Sequence, residues 1–481
     1  MKISKHVKDN IDYLTNLNHN SSDIISRIID KKIGYIFLES VSSDDKISDF
    51  LNKAIVHNIH FKTLFKQLKN QLYSSNLSII DKMDDLFSYL ANGFTVIFLE
   101  KSTKAIVVET KSTLDRGVVE SSIEPVIRGP KDSFTENHPK NIGLIRKRIK
   151  DSALYFDDIC VGLRSKTKVS VAYINDIADI NKVNQIKSIL KSINIDAILD
   201  SGYIRELLER ENSIFPKIIS TERPDLVCSS LLNGKIIILV ENSPTVLVLP
   251  GLFIDFIHSP EDYYQKPFNV TFNRLLRLIC LIITVAIPAL YISLMTFNQE
   301  IIPDEVLISL ASQRNNIPFP TGLEVLIFVI VFEILREADL HAPKISGSAI
   351  SIVGALILGD AAVKASLVSP MVIIIVAITS ISELVFYDID MINALRTWRI
   401  IFILFSLFMG LIGFFIALFI FIIRLVSLES LGIPYLTPIT PDYFRQWKDI
   451  ILRYPLQKLN KRPKYLAKDV TRMGENEKGS V

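Results

Sequence analysis

Beyond Asn273 the chain carries uncharged apolar stretches that few environments other than hydrocarbon accept at such length. Leu278–Phe297, Ala365–Ser382 and Ile400–Ile423 are each long enough to cross about 30 Å of bilayer core as a helix. In hydrocarbon the backbone must satisfy its own hydrogen bonds, so each is predicted to be helical, with Pro288 kinking the first. Arg274 and Arg277 flank the start of that first run, which suits a cytoplasmic end. Ile345–Gly359 is marginal in length. Val325–Phe332, bracketed by Glu324 and Glu333, is too short to span alone. It reads as an interfacial or re-entrant helix, or as the middle of a tilted helix whose carboxylates face a wet cavity.

Arg336 to Pro370 has a charged, proline-broken head and then a run of small residues among Val, Ile and Leu. Gly347, Ser351, Gly354, Ala355 and Gly359 would let helix backbones approach closely, which is how helices associate in lipid. Asp360 and Lys364 stand four apart, so they share a helix face and can pair. With Glu324 and Glu333 they are the intramembrane charges, and such charges flag function. If this helix lines an aqueous path, one stripe offers Ser348, Ile352, Ala355, Gly359 and Ala362, and its neighbour offers Ser351, Leu358 and Val363. Packing against a neighbouring helix accounts for the same residues equally well.

Past Arg424 the tail is basic, with Arg445, Lys448, Arg453, Lys458, Lys461 and Arg462 among others, and belongs on the inner side. The polar N-terminus has no apolar signal run, so the first domain is expected to stay in the cytoplasm. Two inner ends require an even number of crossings. Spans starting near Leu278, Ile345, Ala365 and Ile400 give four; if the glutamate-flanked segment also crosses, another crossing is needed elsewhere.

Before Asn273 the pattern is that of a two-lobed α/β or α+β region. Residues 1–30 read as a mobile tail or short helices. The first lobe, 31–155, has a strand at Ile33–Ser40, helical spacing over Asp44–Leu72, and a hairpin from Phe94 through Ala105. The second, 156–272, has a strand from Lys168, a helix over Ile180–Ser192, a short strand at Asp196–Asp200, a helix over Ile204–Glu211 and a hairpin turned at Glu241–Pro244. Their boundary is placed near Ala153–Arg164. A helical transmembrane domain, 273–426, and the basic tail, 427–481, complete the chain.

A formal charge of +3 gives no reason to invoke nucleic acid. Cys160, Cys228 and Cys280 have no metal-like spacing and are expected to be reduced, structural thiols. No phosphate loop, nucleophile elbow or zinc motif is present, so no catalytic, cofactor-binding or metal residue is assigned and no cofactor is expected. Thr221–Asp225 places Arg223 between carboxylates, as a structural ion pair would, and His258 reads as a loop residue. The basic segment with Arg128, Arg146, Lys147 and Arg148 is either a solvated face or a docking surface.

Several motifs, in order, are similar to those of the GerA family, the A subunits of bacterial spore germinant receptors. They are IRGPKDSFTENHPKNIGLIRKRIKD from Ile127, ILDSGYIRELLE from Ile198, TERPDLV from Thr221 and SPEDYY from Ser259. REA at Arg336, SIVGALILGDAAVKASLVSP from Ser351 and LGIPYLTP from Leu431 continue the series. The likeness runs from about Glu100 to Arg462. Asp360 departs from it, since the family often has an uncharged polar residue there.

The resemblance implies a multi-pass subunit of the spore inner membrane with both termini on the core side. It implies assembly as a homo-oligomer, with an integral-membrane B-type subunit and a lipoprotein C-type subunit. Such a protein would convert germinant binding into ion release without making or breaking a covalent bond. A secondary transporter and a non-conducting membrane scaffold are the alternatives. Transporters usually show paired repeats with broken helices, which the hydrophobic segments lack.

Overall fold

The structure is a computed structural model, and it describes residues 3–17, 21–29, 32–43, 46–47, 77–111, 124, 128–209, 213–341, 359–440, 449–459, 461–469 and 471–472. The chain divides into two compact units. The first comprises 1–212, 218–250 and 455–481, and the second 213–217 and 251–454.

The first unit holds two five-stranded antiparallel sheets. One is built from β1 (Ile24–Ile29), β2 (Ile33–Leu38), β3 (Leu77–Ile80), β4 (Phe94–Leu99) and β5 (Ala105–Glu109), in the order β1-β2-β4-β5-β3. The other uses β6 (Leu154–Val161), β7 (Thr167–Ile174), β8 (Ile219–Thr221), β9 (Ile236–Val240) and β10 (Val246–Leu249), in the order β6-β7-β9-β10-β8. Numbered within each sheet, both orders read 1-2-4-5-3. In each, a helix precedes the final hairpin: α2 (Leu86–Ala91) in the first and α6 (Pro224–Leu232) in the second. The two lobes therefore repeat one topology. The hairpin strands β9 and β10 are buried at every residue, so their sequence is apolar throughout instead of alternating.

The stretch expected to be a mobile tail or short helices forms α1 (Val7–Leu17) and edge strand β1. Val7, Ile11 and Leu14, spaced for one helix face, are buried in the first lobe's core. The helix expected over Asp44–Leu72 lies outside the described residues apart from 46 and 47. The stretch taken as a boundary, Ala153–Arg164, contains β6. Asp196–Asp200 is not a strand. The Ile198 N–H there donates to the Ser165 hydroxyl at 3.1 Å, and Asp200 accepts the Gly202 N–H at the start of α5 (Ser201–Glu209). Between these lobes' elements lie α3 (His138–Arg148) and α4 (Ile180–Ser192).

The second unit contains α7 (Phe253–Ile257), α8 (Pro267–Thr296), α9 (Asp304–Ser312), α10 (Thr321–His341), α11 (Pro370–Glu383) and α12 (Ile389–Ser427). α8 and α12 are long and apolar enough to cross a membrane. The glutamate-flanked run sits inside α10, which is continuous through both carboxylates. The run expected from Ala365 becomes helical only at Pro370, after a turn with Ser366 at φ 54°.

The stretch expected as one crossing, Ile400–Ile423, is folded back on itself. Gly410 sits at φ 63°, ψ −138°, conformations that side-chain-bearing residues avoid. Trp398 and Phe421 lie 5.0 Å apart between ring centroids, and Phe402 and Phe414 5.6 Å. In one straight helix the first pair would be about 35 Å apart at 1.5 Å per residue. The limbs 389–409 and 411–427 thus run antiparallel, about 30 and 25 Å long by the same rise.

Contacts fix which ends lie together. A Cβ on Gly410 would meet Phe297 at 2.7 Å, and one on Gly322 would meet Leu407 and Ile292. The Ser369 N–H donates to Glu324 at 3.0 Å. The end of α8, the starts of α10 and α11 and the hairpin tip therefore share one end. At the other, the Tyr387 hydroxyl donates to the Asp255 carbonyl and the Phe253 N–H to the Tyr435 carbonyl. Tyr435 also packs against Phe215, which touches both Trp398 and Phe421 at the foot of the hairpin.

Gly410→Ala is predicted to destabilise this unit by about 1–3 kcal/mol from backbone strain alone, with a further loss from the clash against Phe297. Thermal unfolding in detergent checks it: Phe297→Ala should restore only the clash component, and an unchanged midpoint for Gly410→Ala would remove the turn from the account.

Candidate functional site

Arg396 and Arg399, three apart on the first limb of α12, face the same side, and the last residue of α11, Glu383, meets both. One Glu383 oxygen accepts from Arg396 Nε at 3.0 Å and Nη2 at 2.7 Å, and the other from Arg399 Nη1 at 3.0 Å. From α10, Glu333 accepts Arg399 Nη2 at 2.6 Å and Arg336 at 2.9 Å, and approaches Arg396 at 3.6 Å. Glu383 is 3% exposed, Arg396 6% and Arg399 2%. At that burial a lone charge is prohibitive, so the ions stand only as a set. Nearer the hairpin tip, Glu324 is 1% exposed and accepts from Arg314 at 3.2 Å and from the Ser369 N–H, holding the start of α11.

A second cluster gathers where α8 begins. Asp262 accepts from Arg274 Nε at 2.9 Å and from Arg277 at 2.9 and 3.0 Å. Arg274 also donates to Asp449 at 2.9 Å, and the Tyr263 hydroxyl donates to the same carboxylate at 2.7 Å. Burial works against the Asp262 charge, but the hydrogen bonds and charge of Arg277 and then Arg274 hold its pKa below the usual carboxylate range. His258 Nε2 bonds the Ile450 carbonyl at 2.7 Å, and burial, aided by Arg274, presses its pKa down to about 4.

In the first unit, Arg146 is fully buried in a bidentate pair with Asp23 at 2.9 and 3.0 Å, its guanidinium 4.9 Å from the Phe156 ring. Arg146, expected among the docking residues, is therefore a corrected assignment: it ties the approach to β1 to β6. Arg148 is partly buried on Asp132 at 2.6 Å, while Arg128 and Lys147 are exposed. Arg223 pairs with Asp225 at 2.7 Å, both buried.

Asp158, Ser170 and His138, which no motif singles out, meet in the first unit. The Ser170 hydroxyl donates to Asp158 in a short bond and lies 2.9 Å from His138 Nε2, which then donates to it. A nucleophilic serine needs the reverse, an imidazole that takes its proton, so this chain of bonds is poor nucleophile chemistry. Burial lowers the His138 pKa, with Lys168 adding to the shift. All three cysteines are free, and burial pushes the Cys228 thiol up to about 12.

Of the pore-lining candidates, Ser348, Ser351, Ile352, Ala355 and Leu358 lie outside the described residues. Gly359 and Val363 are half-buried, and Ala362 is buried. Asp360 and Lys364 pair at 2.6 Å with both side chains largely exposed, apart from the buried network. Glu333 is a member of that network and Glu324 pairs separately with Arg314; Glu383, Arg396, Arg399 and Arg314 are the residues that sequence reasoning missed. Their signal was present, since Glu383 closes one apolar run and Arg396 and Arg399 open the next.

A family model described as Bacillus/Clostridium GerA spore germination protein matches residues 12–465. The chain is 36% identical over 471 residues to spore germination protein KA of Bacillus subtilis (strain 168), covering 95% of this chain and 86% of that protein. It is 36% identical over 392 residues to spore germination protein GerLA of Bacillus cereus, covering 80% and 79%. Among solved structures, the N-terminal domain of the A subunit of the Bacillus megaterium spore germinant receptor GerK3 aligns at 27% identity with a TM-score of 0.42. That alignment covers 53% of this chain and 98% of the other.

Two predictions come from these clusters. Glu383→Gln strands two buried guanidinium groups and is expected to cost about 3–5 kcal/mol, whereas Asp360→Asn should cost about 0–1 kcal/mol; thermal unfolding of both variants in one detergent checks the contrast. For His258, the folded imidazole titrates near 4 and the unfolded one near 6.5. Between those values the unfolded chain holds the extra proton, so stability climbs with pH and is lost on acidification through that window. His258→Gln should flatten the slope there, read as unfolding midpoint against pH; Asp262, with its depressed pKa, contributes below the window.

Proposed function

The chain belongs to the Bacillus/Clostridium GerA spore germination protein family, and from that membership we propose that it is the A subunit of a spore germinant receptor. The observation that carries this is the family match over almost the whole length, joined by the 36% identity to spore germination protein KA. On this reading the protein sits in the spore inner membrane with both termini on the core side. It assembles with copies of itself, a B-type integral-membrane subunit and a C-type lipoprotein, in contact with membrane lipid.

The helix ends support a count of crossings. α8 runs toward the hairpin tip and α10 runs back. The chain leaves α10 at His341, away from the tip, and is beside Glu324 again at Ser369, so one return is counted between them. α11 and the two limbs of α12 follow. That makes six: α8, α10, the return segment, α11 and two limbs. The even number keeps both flanks on one side, with the extra pair coming from α10 and the turn at Gly410.

We take the oligomer's axis as the site of ion passage, with the return segment, through Gly359, Ala362 and Val363 at its end, lining it. A ring of small and apolar side chains can gate by dewetting and open on a slight rotation. Germinant binding elsewhere in the receptor would supply that rotation and release ions across the membrane.

The test pairs the oligomeric state of the purified protein in detergent with conductance in a planar bilayer. A conducting oligomer whose resting ion flux rises in Val363→Ala is the expected result. Unchanged flux in that variant would remove Val363 from the pore. A strictly monomeric, non-conducting protein would make it a scaffold, and counterflow of a labelled solute would make it a transporter.

A further inference from the structure

After leaving the second unit the chain returns at Pro455 to the first, and there it builds one wall of a cavity of about 380 Å³. The returning segment is firmly held. Arg462, 7% exposed, donates to the Leu232 carbonyl at 2.8 Å, and Arg472 donates to Asn233 at 3.0 Å. The Lys468 N–H donates to the Ile177 carbonyl at 2.7 Å. A Cβ on Gly234, at φ 91°, would lie 2.9 Å from the Ala467 Cα, so glycine is required for this close approach.

The lining is strongly one-sided in charge. Lys464 and Lys468 come from the returning segment, as does Tyr465, and Lys182 comes from the other wall. None of the three ammonium groups makes an ion pair among the described residues. Asp179 is the one acidic lining residue, and its carboxylate already accepts the Asn181 N–H at 3.0 Å. Lys182 is half-buried, and desolvation lowers its pKa with Asp179 only partly offsetting the effect. Three like charges drawn to one concavity from segments far apart in sequence repel one another, and Asp179 is one carboxylate against three ammonium groups.

We propose that this cavity binds a small polyanion, a molecule carrying two or more phosphate or carboxylate charges. Its volume suits a compact metabolite. Each lysine would contribute a charge-assisted hydrogen bond, and Tyr465 an apolar face beside them. Occupancy would also strengthen the seat of the returning segment, because two of the lysines belong to it. This site lies apart from the helices assigned above to ion passage and does not rest on that assignment.

The experiment uses the full-length protein in an uncharged detergent. Inorganic pyrophosphate and citrate are titrated separately by calorimetry and by thermal shift, each against sodium chloride of equal ionic strength. Saturable binding of either probe is expected, and which one binds more tightly tells a phosphate-bearing from a carboxylate-bearing ligand. Lys182→Gln and Lys464→Gln should each weaken binding about tenfold, while Lys104→Gln, on the first lobe's hairpin turn, should not. Without any anion, Lys464→Gln should unfold at a higher temperature than the parent, since it relieves repulsion. The proposal is overturned if sodium chloride reproduces the full shift, or if the double variant binds pyrophosphate and citrate as the parent does.

Discussion

Hydrocarbon and tightly packed helices both refuse an unpaired charge, and the second unit is arranged around meeting that demand. Arg396 and Arg399 could not be buried on α12 without carboxylates from two other helices, and α10 and α11 supply them at Glu333 and Glu383. Each carboxylate is shared between guanidinium groups. Removing Glu333, Glu383, Arg396 or Arg399 therefore weakens the compensation of more than one partner, so the three helices are fixed as a group and not pair by pair. An apolar interface of equal area would be cheaper to bury but would tolerate sliding. The ionic one specifies a register.

The same reasoning separates the roles of the two ends of α10. Glu324, near the hairpin tip, accepts the N–H of Ser369, the residue that caps the start of α11, as well as Arg314, so it fixes that helix start from another helix. Glu333, two turns or more along, carries the ionic contact to α12. A helix that looked too charged and too short in its apolar centre to cross is instead the one whose charges organise its neighbours.

Legibility in the sequence followed how local the cause was. The hairpins at Phe94–Glu109 and Ile236–Leu249 and the helix at Ile180–Ser192 were readable because adjacent residues determine them. So was the Asp360–Lys364 pair, whose spacing alone brings the groups together. Three features were not. The fold-back at Gly410 is hidden because a glycine amid uninterrupted apolar residues is also what a straight lipid-facing helix contains; only the Phe297 contact and the aromatic pairs across the limbs reveal it. The topological repeat of the two lobes is carried by strand order, which no short motif encodes. Arg146 looked like surface because it stands in a basic run, yet its partner Asp23 is more than a hundred residues away. The charge network was half legible: the carboxylates of α10 stood out, whereas Glu383, Arg396 and Arg399 passed as the ordinary borders of apolar runs.

The described end of the small-residue segment, residues 359–364, is held more loosely than the chain around it. On one side α10 is locked into the ion network through Glu333 and Arg336, and on the other Ser369 is fixed to Glu324. Between these anchors the described residues 359–364 make few such ties. Asp360 and Lys364 satisfy each other on an exposed face and contribute nothing to the network. A Cβ on Gly359 would meet only Ile373, at ordinary van der Waals distance. Ala362 is buried, but so small a side chain leaves little to interlock. Over residues 359–364 the chain is thus joined to its surroundings by weak, short-range packing, whereas Ser369 just beyond is fixed by Glu324.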